Sequence, residues 1–207
     1  LLREAGFPHL RFVDDRLVTQ ADVQMWGFSR LDIGQRRDRT LALIHESLSR
    51  GTLHKQIHPR VTVPDELHVI VRDQQSDWPV FDPHQVDVFV CNNINHLVVA
   101  YADSQSLISP VMTAHTNGCL RCHFQVITDR DSSWPLILNN ILGQDVSDRA
   151  PIGLLIETAL AVAQRLAEFF AGVQRESLLN ISWPSRENSE QPWIAHPGCG
   201  CQWDHMN

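Results

Sequence analysis

Hydrophobic residues recur with a helical period in three parts of the chain. Residues 37–49 place three aliphatic side chains on one face. Residues 152–172 carry a wider apolar surface, and Pro151 stands at the position that favours a helix start. Trp134-Pro135, preceded by two serines, indicates the start of a further helix. These segments predict three helices, of which the longest has enough apolar surface to pack on a sheet.

Strand-like patterns fill much of the remaining chain. The predicted strands cover residues 9–13, 65–71, 86–91, 96–101, 106–112 and 177–183, with a further candidate at 56–63. Residues 86–91 are apolar apart from Asp87, as expected of a central strand in a parallel sheet. Because strands and helices alternate, the pattern predicts an α/β fold with a mostly parallel sheet flanked by helices.

The composition is that of a globular chain of one domain, or one domain with an extension. Of its 207 residues, 43% are hydrophobic and 20% are charged. A formal net charge of -7 argues against a general nucleic-acid binder. The longest apolar stretch, 152–173, is interrupted by Glu157, Arg165 and Glu168, so it predicts a core helix and not a membrane span.

Two cysteine pairs carry the clearest chemical signal. Cys119 and Cys122 form a CxxC pair, and Cys199 and Cys201 form a CxC pair far downstream. Two such turns can supply four thiolates to one tetrahedral zinc ion and leave no open position, which is typical of a structural site. The fifth cysteine, Cys91, ends an apolar run, and we expect it to be a small buried side chain.

Other interpretations of the cysteines stay open at this point. The pairs are compatible with two disulfides, and a CxxC alone is compatible with a redox motif. Cys119 to His123 also spells CxxCH, the attachment motif of c-type haem. Nearby His115, His123, His196 and His205 are expected to be neighbours of the metal and not ligands, since four thiolates suffice. Without a signal-peptide pattern at Leu1, we expect reduced thiols and a cytoplasmic location.

The zinc ligands also suggest how the chain is divided. Residues 184–197 are polar and contain three prolines, which predicts a linker. We therefore expect an α/β domain at 1–183 and a segment at 184–207 that returns to complete the site of Cys119 and Cys122. One ion would then tie the carboxyl terminus to the middle of the chain.

Several short motifs together resemble one family. They are Gly118-Cys119-Leu120-Arg121-Cys122, Thr128-Asp129-Arg130-Asp131, Trp134-Pro135 and the stretch from His196 to Cys201, with looser matches at 12–15 and 32–34. The sequence resembles ThiF-type, ubiquitin-activating-like domains, in the branch that accompanies azole-forming cyclodehydratases in peptide natural-product (TOMM) biosynthesis. The resemblance implies a Rossmann-like sheet. The first strand and the glycine-rich loop of the family are not in this sequence.

The resemblance also implies an ATP and magnesium site whose residues are changed here. Asp14 matches the acid that would hold the nucleotide ribose. The family's next asparagine and arginine fall on Asp22 and Met25, and its lysine falls on Arg37. The magnesium-binding aspartate falls on Ile94, which offers no oxygen ligand. We therefore expect ATP and magnesium chemistry to be weakened or lost.

Three functions follow as hypotheses. The first is a non-catalytic, zinc-stabilised ThiF-like scaffold that partners a cyclodehydratase catalytic subunit and a precursor peptide. The second is an ATP-dependent adenylating enzyme whose phosphate loop lies upstream. The third is a c-type haem protein that uses the CxxCH motif. A homodimer is also expected, through the sheet edge beside residues 9–13 or through the helix at 152–172.

Overall fold

The computed structural model describes residues 11–23, 27–49, 67–73, 79–143, 150–185 and 187–201. The chain divides into two compact units, Leu1–His58 and Pro59–Asn207. The second unit holds the sheet and all four paired cysteines. None of the helices in the described part of the chain combines the length and the apolarity that a bilayer crossing requires.

The first unit has one long helix, α1, at Arg37–Ser49, which confirms the helix predicted from the periodicity. Two short 3-10 helices, Gln20–Asp22 and Arg30–Asp32, precede it. The Asp22 and Asp32 carboxylates accept backbone N–H groups at the start of these turns, at 2.7 Å each. The strand predicted at 9–13 is wrong where it is described, because residues 11–13 form no strand.

The described part of the second unit contains five strands and four helices. Its strands are β1 (His68–Asp73), β2 (His96–Tyr101), β3 (Gln105–Ile108), β4 (Ser177–Ser182) and β5 (Ser189–Pro192). Its helices are α2 (Asp87–Cys91), α3 (Leu120–Arg130), α4 (Trp134–Leu142) and α5 (Ile152–Phe170). The predictions for β1, β2, β4, α4 and α5 are confirmed to within a few residues. The candidate strand at 56–63 lies outside the described residues.

The sheet is mixed, and the prediction of a mostly parallel sheet is wrong for these strands. The five strands lie in the order β1-β2-β3-β4-β5; β1 pairs parallel with β2, and the other three pairs are antiparallel. A tight turn joins β2 to β3, closed by the Ala102 N–H donating to the Gln105 carbonyl at 2.9 Å. Strands joined by so short a turn must be antiparallel, whereas β1 and β2 are separated by a crossover that contains α2.

Residues 86–91 are not the predicted central strand. They form α2, with the Val90 N–H donating to the Val86 carbonyl at 2.9 Å. A short apolar run fits a buried strand and a packed helix equally well, so its period could not decide between them. Cys91, predicted to be buried, is exposed at the end of this helix.

The core is centred on β2, whose residues Leu97, Val98, Val99 and Ala100 are at most 2% exposed. Val98 and Ala100 face an apolar cluster that includes Leu120 of α3 and Trp193. On the opposite face α5 packs against β3 and β4, and the Ser106 and Thr158 hydroxyls lie 2.7 Å apart. Helices therefore cover both faces of the sheet.

The predicted linker at 184–197 instead belongs to this fold. Part of it forms β5, which pairs with β4, and Trp193 follows as a core residue with 3% exposure. The pattern missed β5 because all four of its residues are exposed, so no side of the strand is apolar. The division into 1–183 and 184–207 stays a prediction, and the sheet extends across that boundary.

Candidate metal centre

The CxxC half of the site begins where a loop meets α3. Cys119 occupies the N-cap position with extended backbone, and Cys122 lies in the first helical turn. The helix thus places both sulfur atoms at its amino end. Cys119 is 8% exposed, and Cys122 is fully buried.

The CxC half lies on the segment that follows β5 and Trp193. The Cys199 N–H donates to the His196 carbonyl at 3.0 Å and closes a turn just before the pair. Gly200 has φ of 73°, a conformation that glycine adopts readily and that most other residues avoid. This backbone turn lets Cys199 and Cys201 face the same point.

Gly118 lets the two halves approach each other. Its φ is 112°, and a Cβ atom added there would lie 2.9 Å from the Ile194 carbonyl oxygen and 3.0 Å from the Ala195 nitrogen. The backbone before Cys119 therefore touches the backbone that leads to Cys199. Only glycine fits this contact, because any side chain would push the two cysteine-bearing segments apart.

Four sulfur atoms converge at the meeting point. Cys119 Sγ lies 3.9 Å from Cys122 Sγ and 3.6 Å from Cys199 Sγ, and Cys122 Sγ lies 3.4 Å from Cys201 Sγ. All four lie within 4.8 Å of one another. A tetrahedral zinc ion with Zn–S bonds of about 2.3 Å has sulfur atoms about 3.8 Å apart, which is close to this spacing. The arrangement could hold a metal ion.

The four thiols perturb one another strongly. The pKa of Cys122 falls to about 4, first because the Cys119 thiol donates to it and further because the backbone N–H of His196 does. Hydrogen bonding to Cys122 raises the pKa of Cys119, and burial raises that of Cys201 to about 12. Packed thiols cannot all ionise without a nearby cation, so full ionisation of the set calls for a positive ion at its centre.

Arg121, between the two ligands of the CxxC pair, contributes positive charge at the rim. Its guanidinium donates to both oxygens of Asp87 on α2, at 3.1 and 2.8 Å, and this hydrogen bonding lowers the pKa of that carboxyl. The pair lies beside a cavity of about 190 Å3 lined by Cys119, Cys199 and Cys201. The basic side chain therefore offsets part of the negative charge that four thiolates would carry.

The nearby histidines do not join the sulfur cluster where the structure describes them. His196 uses both ring nitrogens, one with Asp129 and one with the Gly198 N–H. His123 stacks on Trp193 with ring centroids 5.1 Å apart, and burial lowers its pKa to about 4. His115 is exposed, and His205 lies outside the described residues.

The sulfur atoms are also not in disulfide geometry. All five cysteines are free thiols in the structure. The S–S separations of 3.4–3.9 Å far exceed a covalent bond of about 2.05 Å. The cluster of four also accounts for Cys199 and Cys201, which a redox CxxC or a haem motif leaves unused.

The residues matched to a nucleotide site lie in an internal ion network. Arg16 donates to both Asp14 oxygens, at 2.9 and 2.7 Å, and this hydrogen bonding lowers the pKa of that carboxyl. Arg37 lies 3.7 Å from Asp14 and 2.6 Å from Asp22. Both oxygens of the carboxylate predicted to hold a ribose thus already accept hydrogen bonds. Met25 lies outside the described residues.

The match of Ile94 to a magnesium ligand loses its basis. It assumed a central strand at 86–91, whereas Ile94 follows α2 in a turn, with its N–H donating to the Phe89 carbonyl at 2.9 Å. The strand that precedes α2 and pairs parallel with β2 is β1, and its last residue is Asp73. Ile94 therefore does not stand at the end of a strand, as the match had assumed.

Solved structures show the same arrangement of elements. The structure of the microcin C7 biosynthetic enzyme MccB in complex with N-formylated MccA matches 91% of this chain with a TM-score of 0.61 at 15% identity. PaaA matches 88% with a TM-score of 0.56 at 12% identity. The chain has a ThiF-like fold. The predicted resemblance is confirmed at the level of fold.

This chain spans only part of the length of the proteins it matches. It spans 58% of that MccB chain, 57% of Escherichia coli MccB with ATP, and 63% of PaaA. No family model matches the sequence, and no curated protein does.

Three further side chains around the four cysteines were not predicted from the sequence. Asp129, Asp87 and Trp193 support the cysteine-bearing segments through His196, Arg121 and His123, respectively. Asp129 and His196 stood within the motifs that carried the resemblance. Asp87 and Trp193 had no such signal, because their contacts join elements far apart in the chain.

Replacing Gly118 with alanine tests the close approach. We expect Gly118→Ala to lower the free energy of unfolding by about 1 kcal/mol or more, because the added methyl meets the backbone at Ile194 and the positive φ disfavours alanine. Urea titration of the purified variant measures the loss. Gly27→Ala is the matched control, since nothing lies within 4 Å of its added Cβ. Equal stability of the two variants would show that the contact is not needed.

Proposed function

We propose that this chain is a non-catalytic, zinc-stabilised ThiF-like scaffold that takes part in the modification of a ribosomal peptide. The observation that carries the proposal is the closed cluster of Cys119, Cys122, Cys199 and Cys201, whose sulfur atoms lie within 4.8 Å of one another. Such a shell supports a structural ion and leaves no position for a substrate. The ThiF-like fold and the likeness to a peptide-modifying neighbour support the setting.

Zinc is the metal we assign to the site. Four thiolates in a tetrahedral arrangement favour zinc over magnesium or calcium, which prefer oxygen ligands. The ion would join α3 to the segment that follows Trp193, two parts of the chain 80 residues apart at Cys119 and Cys199. Metal binding there adds to folding stability, because the same four ligands are not preorganised in the unfolded chain.

The non-catalytic part of the proposal rests on the contacts of Asp14 with arginine side chains. Its two oxygens already accept hydrogen bonds from Arg16, and Arg37 lies between it and Asp22. A ribose hydroxyl would have to share the Asp14 oxygens with these arginines.

An adenylating enzyme is the second candidate. Structures of Escherichia coli MccB exist with ATP, and with AMPCPP together with MccA. They match 90–91% of the present chain. Ile94 no longer argues against magnesium, because it does not follow the strand that precedes α2. Asp73, at the carboxyl end of β1, is the acid that the enzyme hypothesis would use.

Metal analysis tests the proposed function. We expect about one zinc per chain after purification without added metal, and loss of zinc on acidification, because protons compete for the thiolates. Cys201→Ser should lower the zinc content, since serine is a poor ligand. It should also speed proteolysis within 194–198, while β5 and Trp193 keep the preceding residues in place.

Cys91→Ser is the matched control for this test, because Cys91 is exposed and lies outside the four-sulfur cluster. It should retain the wild-type zinc content. Protein that folds with no metal, or that loses zinc equally in both variants, would contradict the assignment. A haem Soret band would instead favour the c-type haem hypothesis.

Isotope exchange between pyrophosphate and ATP decides between scaffold and enzyme. With magnesium and a candidate precursor peptide, we expect no exchange above a blank without protein, because the predicted ribose acid is held by Arg16 and Arg37. Exchange that disappears in Asp73→Asn would overturn the scaffold proposal and identify β1 as carrying the magnesium ligand.

The proposed partners are a precursor peptide, a cyclodehydratase-type catalytic subunit and a second copy of the chain. MccB structures contain MccA, which supports a peptide partner for a protein of this fold. The strand edge beside residues 9–13 no longer supports a dimer, because no strand is present at 11–13. The outer face of α5 does, since Ile152, Ile156 and Leu160 recur every four residues and are 37–54% exposed.

A charge placed on this stripe tests the dimer. Light scattering at micromolar concentration should show a dimer for wild type and a monomer for Leu160→Glu, because a buried carboxylate at an apolar interface is unfavourable. Leu43→Glu, at an exposed leucine of α1, should remain dimeric. A monomeric wild-type protein would contradict the proposed dimer. Disruption of the dimer by Leu43→Glu but not by Leu160→Glu would exclude the α5 face as its interface.

A further inference from the structure

His196 lies between the cysteine turn and the far end of α3. Its Nε2 lies 2.8 Å from Asp129 Oδ2, and its Nδ1 accepts the Gly198 N–H at 3.0 Å. Because Nδ1 is an acceptor, the ring proton sits on Nε2 and is donated to the carboxylate. The side chain is 16% exposed, whereas that of Asp129 is 70% exposed. Both ring nitrogens are thus committed to the protein and neither is available to a metal.

The same residue is tied to the sulfur cluster through its backbone. The His196 carbonyl accepts the Cys199 N–H at 3.0 Å, and Cys201 Sγ, two residues further on, lies 3.4 Å from Cys122 Sγ. Cys122 lies in the first turn of α3, and Asp129 lies in its last. Seven residues are about two helical turns, so these two residues lie along one face of the helix. The segment 196–201 therefore contacts α3 at two separate points, Asp129 and Cys122.

We propose that the Asp129–His196 hydrogen bond is a clasp that slows release of the metal by holding the Cys199–Cys201 turn on α3. The inference rests on the proposed metal-binding function, and it concerns positioning residues, since neither side chain contacts the sulfur cluster. For the ion to leave, Cys199 and Cys201 must move away from Cys119 and Cys122. With the clasp closed, His196 and Gly198 stay fixed and the turn has little freedom to move.

The position of the clasp allows it to affect the rate of metal release. Cys199 and Cys201 are the more exposed ligands of the four, so the ion is expected to be lost on their side. Hydrogen-bonding partners behind metal ligands typically change metal affinity by 10- to 100-fold when they are removed. Asp129 is mostly exposed, so its substitution should act on the turn and leave the core intact.

The experiment measures zinc release from the loaded, full chain into an excess of a chromogenic chelator. Asp129→Ala should release zinc about 10-fold faster than wild type. Asp131→Ala is the matched control, because it removes another carboxylate at the same helix end together with one hydrogen bond, to the Ser133 N–H at 2.9 Å. The control should release zinc at the wild-type rate.

A double-mutant cycle separates the clasp from a general effect of Asp129. His196→Asn keeps an acceptor near the Nδ1 position for Gly198 but cannot reach Asp129. It should release zinc as fast as Asp129→Ala, and the double variant should be no faster than either. Independent, multiplying effects of the two substitutions would overturn the clasp.

The outcomes also distinguish the clasp from the metal function itself. Wild-type protein that carries no zinc above the buffer level would contradict both the clasp and the metal-binding function. Full zinc content in wild type, with Asp129→Ala releasing zinc within about twofold of Asp131→Ala, would overturn the clasp and leave the metal function in place.

Discussion

The convergence of four sulfur atoms is the constraint on which the rest of this structure depends. Cys119 and Cys199 are 80 residues apart in sequence, yet their sulfur atoms lie 3.6 Å apart. Gly118 has no side chain, so its backbone can contact the backbone at Ile194 and Ala195. Pairing of β5 with β4 and burial of Trp193 position the segment that leads to Cys199 beside α3. The position of the four sulfur atoms therefore depends on the start of α3, on the contact at Gly118 and on the packing of β5 and Trp193.

The ionisable groups have different partners in the two units. In the first, Asp14 and Asp22 are neutralised by Arg16 and Arg37, so the acids of a would-be nucleotide site already have partners. In the second, the thiols crowd one another, and hydrogen bonding from Cys119 lowers the pKa of Cys122. Ionisation of all four thiols would call for a nearby cation, whereas the Asp14 carboxylate already has one in Arg16.

Periodicity predicted the elements that bury one clear face. α1, α5, β2 and β4 followed directly from their apolar spacing. It failed where one face is not distinct: α2 is apolar on most sides and was taken for a strand, and β5 is exposed at every residue. The α3 helix, which carries half the site, was not predicted, because its amino half was interpreted only as a metal-binding turn.

The sequence by itself determined the four candidate ligands, because CxxC and CxC are local spacings that allow two sulfur atoms to reach one point whatever surrounds them. It also determined the resemblance that the ThiF-like fold confirms. Only the tertiary structure decided strand direction, the burial of Trp193, the partners of Asp14 and the contact between Asp129 and His196. Most of these depend on how distant segments pack, and such contacts leave no period or spacing in a single sequence.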